Sequence, residues 1–492
     1  MDGDGSYTPA ESSTAWPEWQ PMRSRAHPLH MRISERRILL MVGDVAATVV
    51  SVLLALRVWT WQAHAPFTAY FIERHAYWFI ILPLLWVLLA NVNDYYNLRV
   101  AAHLPASAKR LVAIMGQLLI LYGATFFLSP RNSLPRIFIV YYAVISVVLT
   151  GAWRMGRLFL IGWTGFRRRA LIVGSGPAAD LIIHAIKQEA HADYEIIGAV
   201  LATADPAVPP PQVPLLGRGS DLPAVVRDYD IAELVLAYVN EIPADIFQGT
   251  MACYEQGMVI VPMPLLYEQI TGRIPVEEVG EHLWALVLPM HRYTMASALY
   301  RAIKRVMDVA FALVGLALCA LLLPPLLLAI HLDSRGPAFF RQRRVGRGGR
   351  LFTVYKLRTM VVNAERTTGA QWARRDDPRI TRVGRFLRRT RLDELPQLLN
   401  ILRGEMSLVG PRPERPEFVK TLAADIAFYR SRLAVTPGLT GWAQVRYRYG
   451  NSFEDTVYKL QYDLYYIRHQ SLGLDLLIML KTVGTMLAFR GT

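Results

Sequence analysis

The chain has 492 residues, 53% of them hydrophobic and 19% charged, with a formal net charge of +15. That length predicts about three domains, and the apolar fraction excludes a disordered or collagen-like chain. Two cysteines, Cys253 and Cys319, exclude a disulfide scaffold and a four-cysteine zinc site. High hydrophobicity beside a basic excess points to a membrane protein that handles something anionic: nucleic acid, acidic lipid or a phosphorylated substrate.

Residues 1–31 are polar and aperiodic and are expected to form a disordered tail. They hold no apolar run ahead of a small-residue cleavage site, so no removable signal peptide is expected. Four apolar runs follow in 32–155, at about Ile38–Leu56, Tyr77–Val92, Leu111–Leu128 and Ile137–Trp153. Each is near the lower length for crossing hydrocarbon, and their succession predicts a four-helix transmembrane bundle. Arg32, Arg36 and Arg37 precede the first run. Arg99, Lys109 and Arg110 separate the second from the third, and Arg154, Arg157 and Arg167–Arg169 follow the fourth. The opposite side has fewer cations, so both ends of the bundle are expected in the cytoplasm. Asp44 inside the first run is costly in lipid, and is expected to face the bundle interior and pair there.

The segment 166–292 reads as a Rossmann-like α/β cytoplasmic module. Arg169–Ala179 is a short buried strand, a glycine turn (Gly174, Gly176) and a helix start, and further strands are predicted at Glu195–Leu201, Ile231–Tyr238 and Met258–Val261. The glycines would let a pyrophosphate approach the helix N-terminus. No acidic ribose ligand stands at the end of the second strand, so the pattern favours a structural or regulatory module over a bound nucleotide.

A fifth apolar segment, Val309–Leu332, is interrupted by Pro324-Pro325. A straight span would carry everything after it across the membrane. Yet Asp333–Gly450 holds 25 Lys and Arg against 10 Asp and Glu, an excess equal to that of the whole chain. The prolines remove backbone donors and bend the helix. A re-entrant or interfacial helix at about 304–332, entering and leaving by the cytoplasmic face, is therefore expected.

The basic region carries the chemistry. Phe339–Gly346 and Phe352–Met360 interleave aromatics with cations, as a base-stacking surface or a strand pair at an anionic membrane would. In Arg388–Asn400, the adjacent carboxylates Asp393 and Glu394 stand among arginines, and Pro396 fits a first helical turn. An ionised Asp393 there caps the helix, binds Mg²⁺ or attacks phosphorus, capping being the commoner outcome. Gly410 with Pro411 and Pro413 fixes a loop that presents Arg412, either to a phosphate or to the turn itself. Leu472–Leu487, interrupted by Lys481, reads as a helix lying on the membrane.

Taken together, Lys304-Arg305-x-x-Asp308, GPxFFxQxRxG, KLRTM, RLDELPQLLN, SLVGPRP, TPGLTGWAQV and YDLYYI resemble, in order, the motifs of polyprenyl-phosphate hexose-1-phosphate transferases, the large monotopic phosphoglycosyl transferases. The motifs cover 300–492, and the four-span bundle and middle module are similar to those of the large members. The resemblance implies a mixed membrane protein with a monotopic α/β catalytic domain in the bacterial inner membrane. It implies that Asp393 attacks the β-phosphorus of a UDP-hexose, glucose or galactose, releasing UMP, and that undecaprenyl phosphate then takes the phosphosugar. By the same resemblance Glu394 helps hold Mg²⁺ with Asp393, or assists the acceptor step. Lys356, Arg358 and Arg388 neutralise phosphate charge, and Pro411, Arg412 and Pro413 hold the donor. A homodimer is also implied.

Two rival functions compete. A membrane-bound NAD-dependent sugar oxidoreductase would need the missing ribose carboxylate. A non-enzymatic nucleic-acid or anionic-lipid binder leaves Asp393, Glu394 and the Arg412 loop without a role, so no nucleic acid is expected as partner.

Overall fold

The computed structural model describes residues 33–96, 100, 104–128, 137–160, 167–191, 193–203, 213–238, 241–278, 295–362, 364, 377–447 and 452–487. The expected tail at 1–31 lies outside them.

The N-terminal runs form α1 (Ile33–Gln62), α2 (Trp78–Val92), α3 (Leu104–Leu128) and α4 (Phe138–Leu160). Among the described residues, four helices are long and apolar enough to cross a membrane: α1, α3, α4 and the long helix of the C-terminal region. The second run forms a helix close to its expected bounds, but α2 has only 15 residues, about 22 Å, short for a crossing; a separate short helix, Ala69–Arg74, precedes it. Asp44 is fully buried and bonds Arg154 of α4 at 2.8 Å, as expected of a carboxylate in lipid. The Arg154 guanidinium also lies 3.8 Å from the centre of the Tyr95 ring and donates to the Tyr95 carbonyl at 3.2 Å.

The middle module is a parallel five-stranded sheet in the order β3-β2-β1-β4-β5. Its strands are β1 (Arg168–Val173), β2 (Tyr194–Leu201), β3 (Leu215–Arg218), β4 (Glu233–Leu236) and β5 (Val259–Pro262). The connecting helices are α5 (Pro177–Glu189), α6 (Leu222–Asp228), α7 (Ala244–Glu255) and α8 (Met263–Thr271). Buried apolar inner strands, β1, β2 and β4, with helices at the β1–β2, β3–β4 and β4–β5 crossovers, give this doubly wound form.

The C-terminal region begins with α9 (Met295–Asp333), 39 residues with both prolines inside. A hairpin of β6 (Phe339–Val345) and β7 (Leu351–Leu357) follows, then α10 (Arg382–Thr390), a 3₁₀ turn (Leu392–Gln397) and α11 (Leu398–Leu402). β8 (Ser407–Val409) pairs parallel with β9 (Gly438–Thr440). The remaining helices are α12 (Pro416–Asp425), α13 (Trp442–Arg446), α14 (Phe453–Arg468) and α15 (Leu472–Leu487).

The stretch of α9 from Lys304 to Asp333 is tied to this one region at both its ends. About a third of the way along α9, the Asp308 carboxylate accepts from Leu408 N at 2.9 Å and Ser407 Oγ at 3.1 Å. Arg305 donates to the carbonyls of Ile401 and Leu402 at 2.6 and 2.7 Å, satisfying the open end of α11. Lys304 pairs with Asp475 at 2.8 Å. At the other end, Asp333 accepts from Val383 N at 2.8 Å, and Ile330 packs with Leu357 and Leu387.

Two seams join the units. Arg468 and His469, at the end of α14, meet Glu268 of α8 at 3.3 and 2.5 Å. Lys481, buried on α15, bonds Asp94 at 2.9 Å and the Val92 carbonyl at 3.0 Å. Lys481 therefore docks α15 on the end of α2, which accounts for a cation inside an apolar helix.

Candidate active site

The two carboxylates lie in the 3₁₀ turn between α10 and α11. Arg391 opens that turn in the left-handed conformation at φ 55° and makes no side-chain cap. The capping reading of Asp393 is therefore overturned: the turn is closed by backbone bonds, and no residue hydrogen-bonds the Asp393 carboxylate among the described residues. Asp393 and Glu394 are each 7% exposed.

Three elements converge on this turn. Lys356, paired with Phe340 in the hairpin, brings Nζ to 3.1 Å from Glu394 Oε1. Arg412, on the loop after β8, brings Nη2 to 2.7 Å from the same oxygen. Arg388, from the last turn of α10, donates Nε to Thr359 Oγ1 at 3.1 Å and interacts with Asp393 through charge. Burial lowers its guanidinium from the usual range.

The electrostatics separate the two acids. Burial and then the neighbouring Glu394 charge push Asp393 up to about 6, against Lys356, Arg388 and Arg412. Burial alone would raise Glu394 as well, but Arg412, Lys356 and Arg391 outweigh it and hold Glu394 well below the usual carboxylate range. One acid is thus a fixed anion already neutralised by partners. The other is buried, accepts no hydrogen bond among the described residues, and is held above the usual carboxylate range.

Arg358 is elsewhere. Its guanidinium donates to the carbonyls of Ser334 at 2.6 Å, Arg335 at 3.0 Å and Ile330 at 3.4 Å. It closes the C-terminal end of α9, where helix carbonyls lack intrahelical partners, and it does not join the Lys356–Arg412 cluster.

The Arg412 loop is held by backbone packing. A Cβ on Gly410 would stand 2.5 Å from the Thr436 carbonyl oxygen, and one on Gly438 would collide with Gly410 N. The GPRP and TPGLTG segments therefore touch backbone to backbone, which only glycine allows. Gly438 N donates to the Pro411 carbonyl at 2.9 Å, and Arg344 Nη1 to that of Pro413 at 3.0 Å. Arg432, which sequence reasoning missed, donates Nη2 to the Arg412 carbonyl at 3.1 Å and Nε to Asp463 at 2.9 Å. Asp463 is the carboxylate of the YDLYYI segment, a lone acid on the buried face of α14. That placement was the available signal.

Among the described residues, no group of three or more His, Cys, Asp or Glu could hold a metal. The bonds from Lys356 and Arg412 both fall on Glu394 Oε1. Asp393 and the second Glu394 oxygen are the oxygens the site offers a cation. That donor set fits Mg²⁺, which takes one or two carboxylates and completes its shell with water and substrate phosphates.

Sequence comparison gives the wider setting. Residues 299–489 match the family described as "Bacterial sugar transferase", and 91–241 match "CoA-binding domain". The residues of the second match do not fit a pyrophosphate cofactor at the glycine turn. The Tyr238 ring lies 3.2 Å from where a Cβ of Gly174 would stand, and Ala202 N donates to its hydroxyl at 3.2 Å. The Tyr238 side chain thus reaches across the glycine turn from the residues after β4 to those after β2.

The chain is 44% identical over 220 residues to an Aeromonas hydrophila protein named UDP-N-acetylgalactosamine-undecaprenyl-phosphate N-acetylgalactosaminephosphotransferase; the match spans 45% of this chain and 50% of that one. It is 49% identical over 188 residues to the Caulobacter vibrioides UDP-glucose:undecaprenyl-phosphate glucose-1-phosphate transferase, spanning 37% and 69%. An Escherichia coli protein of the same name is 30% identical over 353 residues, spanning 71% and 74%. With the motifs converging on one buried acid pair, the chain belongs to the bacterial sugar transferase family.

Proposed function

We propose that the protein transfers a sugar-1-phosphate from a UDP-sugar to undecaprenyl phosphate, releasing UMP. The observation that carries this reading is the division of labour in the acid pair: Glu394 is engaged by Lys356 and Arg412, while Asp393 is buried and accepts no hydrogen bond among the described residues. The Asp393 carboxylate attacks the β-phosphorus. A carboxylate–phosphorus bond forms, the bridging P–O bond breaks, and UMP leaves with the bridging oxygen. A phosphate oxygen of the lipid then attacks the same phosphorus. The bond to Asp393 breaks, the carboxylate is restored, and the pyrophosphate-linked sugar remains on the lipid.

Phosphoryl transfer needs positioning and charge neutralisation more than covalent help. Lys356, Arg412 and Arg388 supply fixed cations around the reacting phosphorus. Glu394 orients the first two through its Oε1. Mg²⁺, held by Asp393 and the second oxygen of Glu394, would offset charge on the donor phosphates.

The location reading is the cytoplasmic face of the bacterial inner membrane. Arg446 and Lys481 reach Asp94 at 3.4 and 2.9 Å, at the end of α2, where Arg110 also lies 4.0 Å from Asp94. Arg110 belongs to the cationic side of the bundle, which supports placing the catalytic region there. A straight helix from Asp308 to Asp333 would measure about 37 Å, enough to part its ends across the bilayer. Both residues bond the same catalytic region, which supports a re-entrant or interfacial α9. Exposed Phe247, Tyr254 and Val259 on the middle module support the homodimer reading, which native mass spectrometry in lipid particles tests.

The test of function is UMP release from UDP-glucose, UDP-galactose and UDP-N-acetylgalactosamine with undecaprenyl phosphate and Mg²⁺. Release dependent on the lipid and lost in Asp393→Asn is expected. Turnover in that variant would refute the assignment.

A further inference from the structure

One face of α10 has no part in the reaction above. Arg382, Arg385, Phe386 and Arg389 stand at helical spacing, all exposed or partly so, and line a surface cavity of about 320 Å³. None of the three arginines pairs with a carboxylate among the described residues. The opposite face holds Leu387 and Val383 against Ile330, Leu326 and Leu327 of α9, and Val383 N is tied to Asp333. The cationic face therefore stands beside the end of the long apolar helix, where Leu328 and Leu332 are exposed.

We propose that this face is a receiving site for the acceptor lipid: the guanidinium groups take its phosphate monoester, and Phe386 takes the first isoprenyl unit. The inference rests on the transferase reading. Charge favours this occupant. A phosphate monoester carries between one and two negative charges near neutral pH, matched to three planar donors that bind phosphate oxygens in pairs. A phospholipid diester carries only one. The cavity is larger than a phosphate needs, and its one apolar lining residue meets the chain that a carrier lipid brings. Placement agrees as well. α10 ends three residues before Asp393, and its Arg388 already faces the acids. A phosphate held outside lies about one helix diameter, on the order of 10 Å, from the nucleophile.

The test uses the full chain in phosphatidylcholine nanodiscs. Binding of undecaprenyl phosphate is read by native mass spectrometry, and the KM values for lipid and UDP-sugar are read separately. The triple variant Arg382→Gln, Arg385→Gln, Arg389→Gln should bind the lipid about tenfold more weakly, with acceptor KM raised in proportion. Donor KM and acceptor-free exchange of UMP into UDP-sugar should not move. If the triple variant does not fold, Arg385→Gln alone should raise acceptor KM by about threefold. Phe386→Ala should weaken binding of the long lipid more than that of a short-chain phosphate. Unchanged lipid binding, or equal loss for both substrates, would overturn the site. So would complete displacement of undecaprenyl phosphate by about one-third phosphatidylglycerol, which would make the face a general anionic-headgroup surface. Binding is read without turnover, so the two readings fail separately. Arginine-dependent binding by a protein inactive on every UDP-sugar would remove the transferase reading. Arginine-independent binding by an active protein would remove only this site.

Discussion

Replacing Asp393 by Asn should abolish transfer and make the protein more stable. Burial and the Glu394 charge raise the Asp393 carboxyl from 3.8 to about 6. That rise corresponds to about 3 kcal/mol between the protonation states. The folded protein binds this proton more tightly than the unfolded chain, so stability is present below the unfolded pKa and lost as pH rises through about 6. At neutral pH the ionised carboxylate carries the whole penalty, and an asparagine side chain, which cannot ionise, carries none. The replacement is nearly isosteric and Asp393 has no hydrogen bond to lose among the described residues, so about 1–3 kcal/mol of the penalty should be recovered. Thermal unfolding of the purified protein at pH 7.5 should show the Asp393→Asn variant melting several degrees higher. Near pH 4, where the wild-type acid is protonated, the two curves should approach each other. A lower Tm for the variant at pH 7.5, or the same gain at both pH values, would refute the electrostatic reasoning.

Other outcomes follow from the same geometry. Attack requires an ionised nucleophile, so the rate of UMP release should fall on the acid side with an apparent pKa near 6, belonging to the coupled acid pair; a stopped-flow pH profile reads it, and a flat profile from pH 5 to 8 would count against Asp393. Asp463→Asn leaves the buried Arg432 without its partner, which should cost about 3–5 kcal/mol in a melt. Because Arg432 also holds the Arg412 carbonyl, that variant should lose kcat/KM for the UDP-sugar beyond its loss of folded protein. Arg358→Ala should lower Tm by leaving the α9 carbonyls open, at about 1–3 kcal/mol, while donor KM per folded molecule stays near wild type; a selective rise in donor KM would return Arg358 to the phosphate site.

How far the site could be read from sequence depended on range. Asp393 and Glu394 stood out because adjacent acids among arginines are electrostatically unusual, whereas the aromatic–basic runs read equally as a base-stacking surface or a strand pair until the structure pairs β6 with β7. The place of Arg358 at the end of α9 was not legible, because an arginine in a basic motif serves a carbonyl as readily as a phosphate, and nothing in KLRTM tells where α9 ends. Arg432 and Asp463 lie 31 residues apart, and only the packed fold brings them under Arg412. Strand β3 was not predicted: its four residues follow a proline-rich stretch of sequence and gain strand form by pairing with β2. The second apolar run looked like a span by composition and forms a helix over nearly the same residues, yet its 15 residues are few for a crossing. Tyr238 was read only as the end of a strand, and its side chain lies against the glycine turn.

The central claim is that Asp393 becomes covalently phosphorylated by the sugar-1-phosphate. The direct measurement is incubation of the purified protein with UDP-sugar labelled in the β-phosphate, without acceptor, followed by denaturing electrophoresis and peptide mass spectrometry. Label is expected on the peptide carrying Asp393, none in Asp393→Asn, and its discharge on adding undecaprenyl phosphate. Product formation by the wild type without labelled protein at any time, or label on another residue, would contradict it.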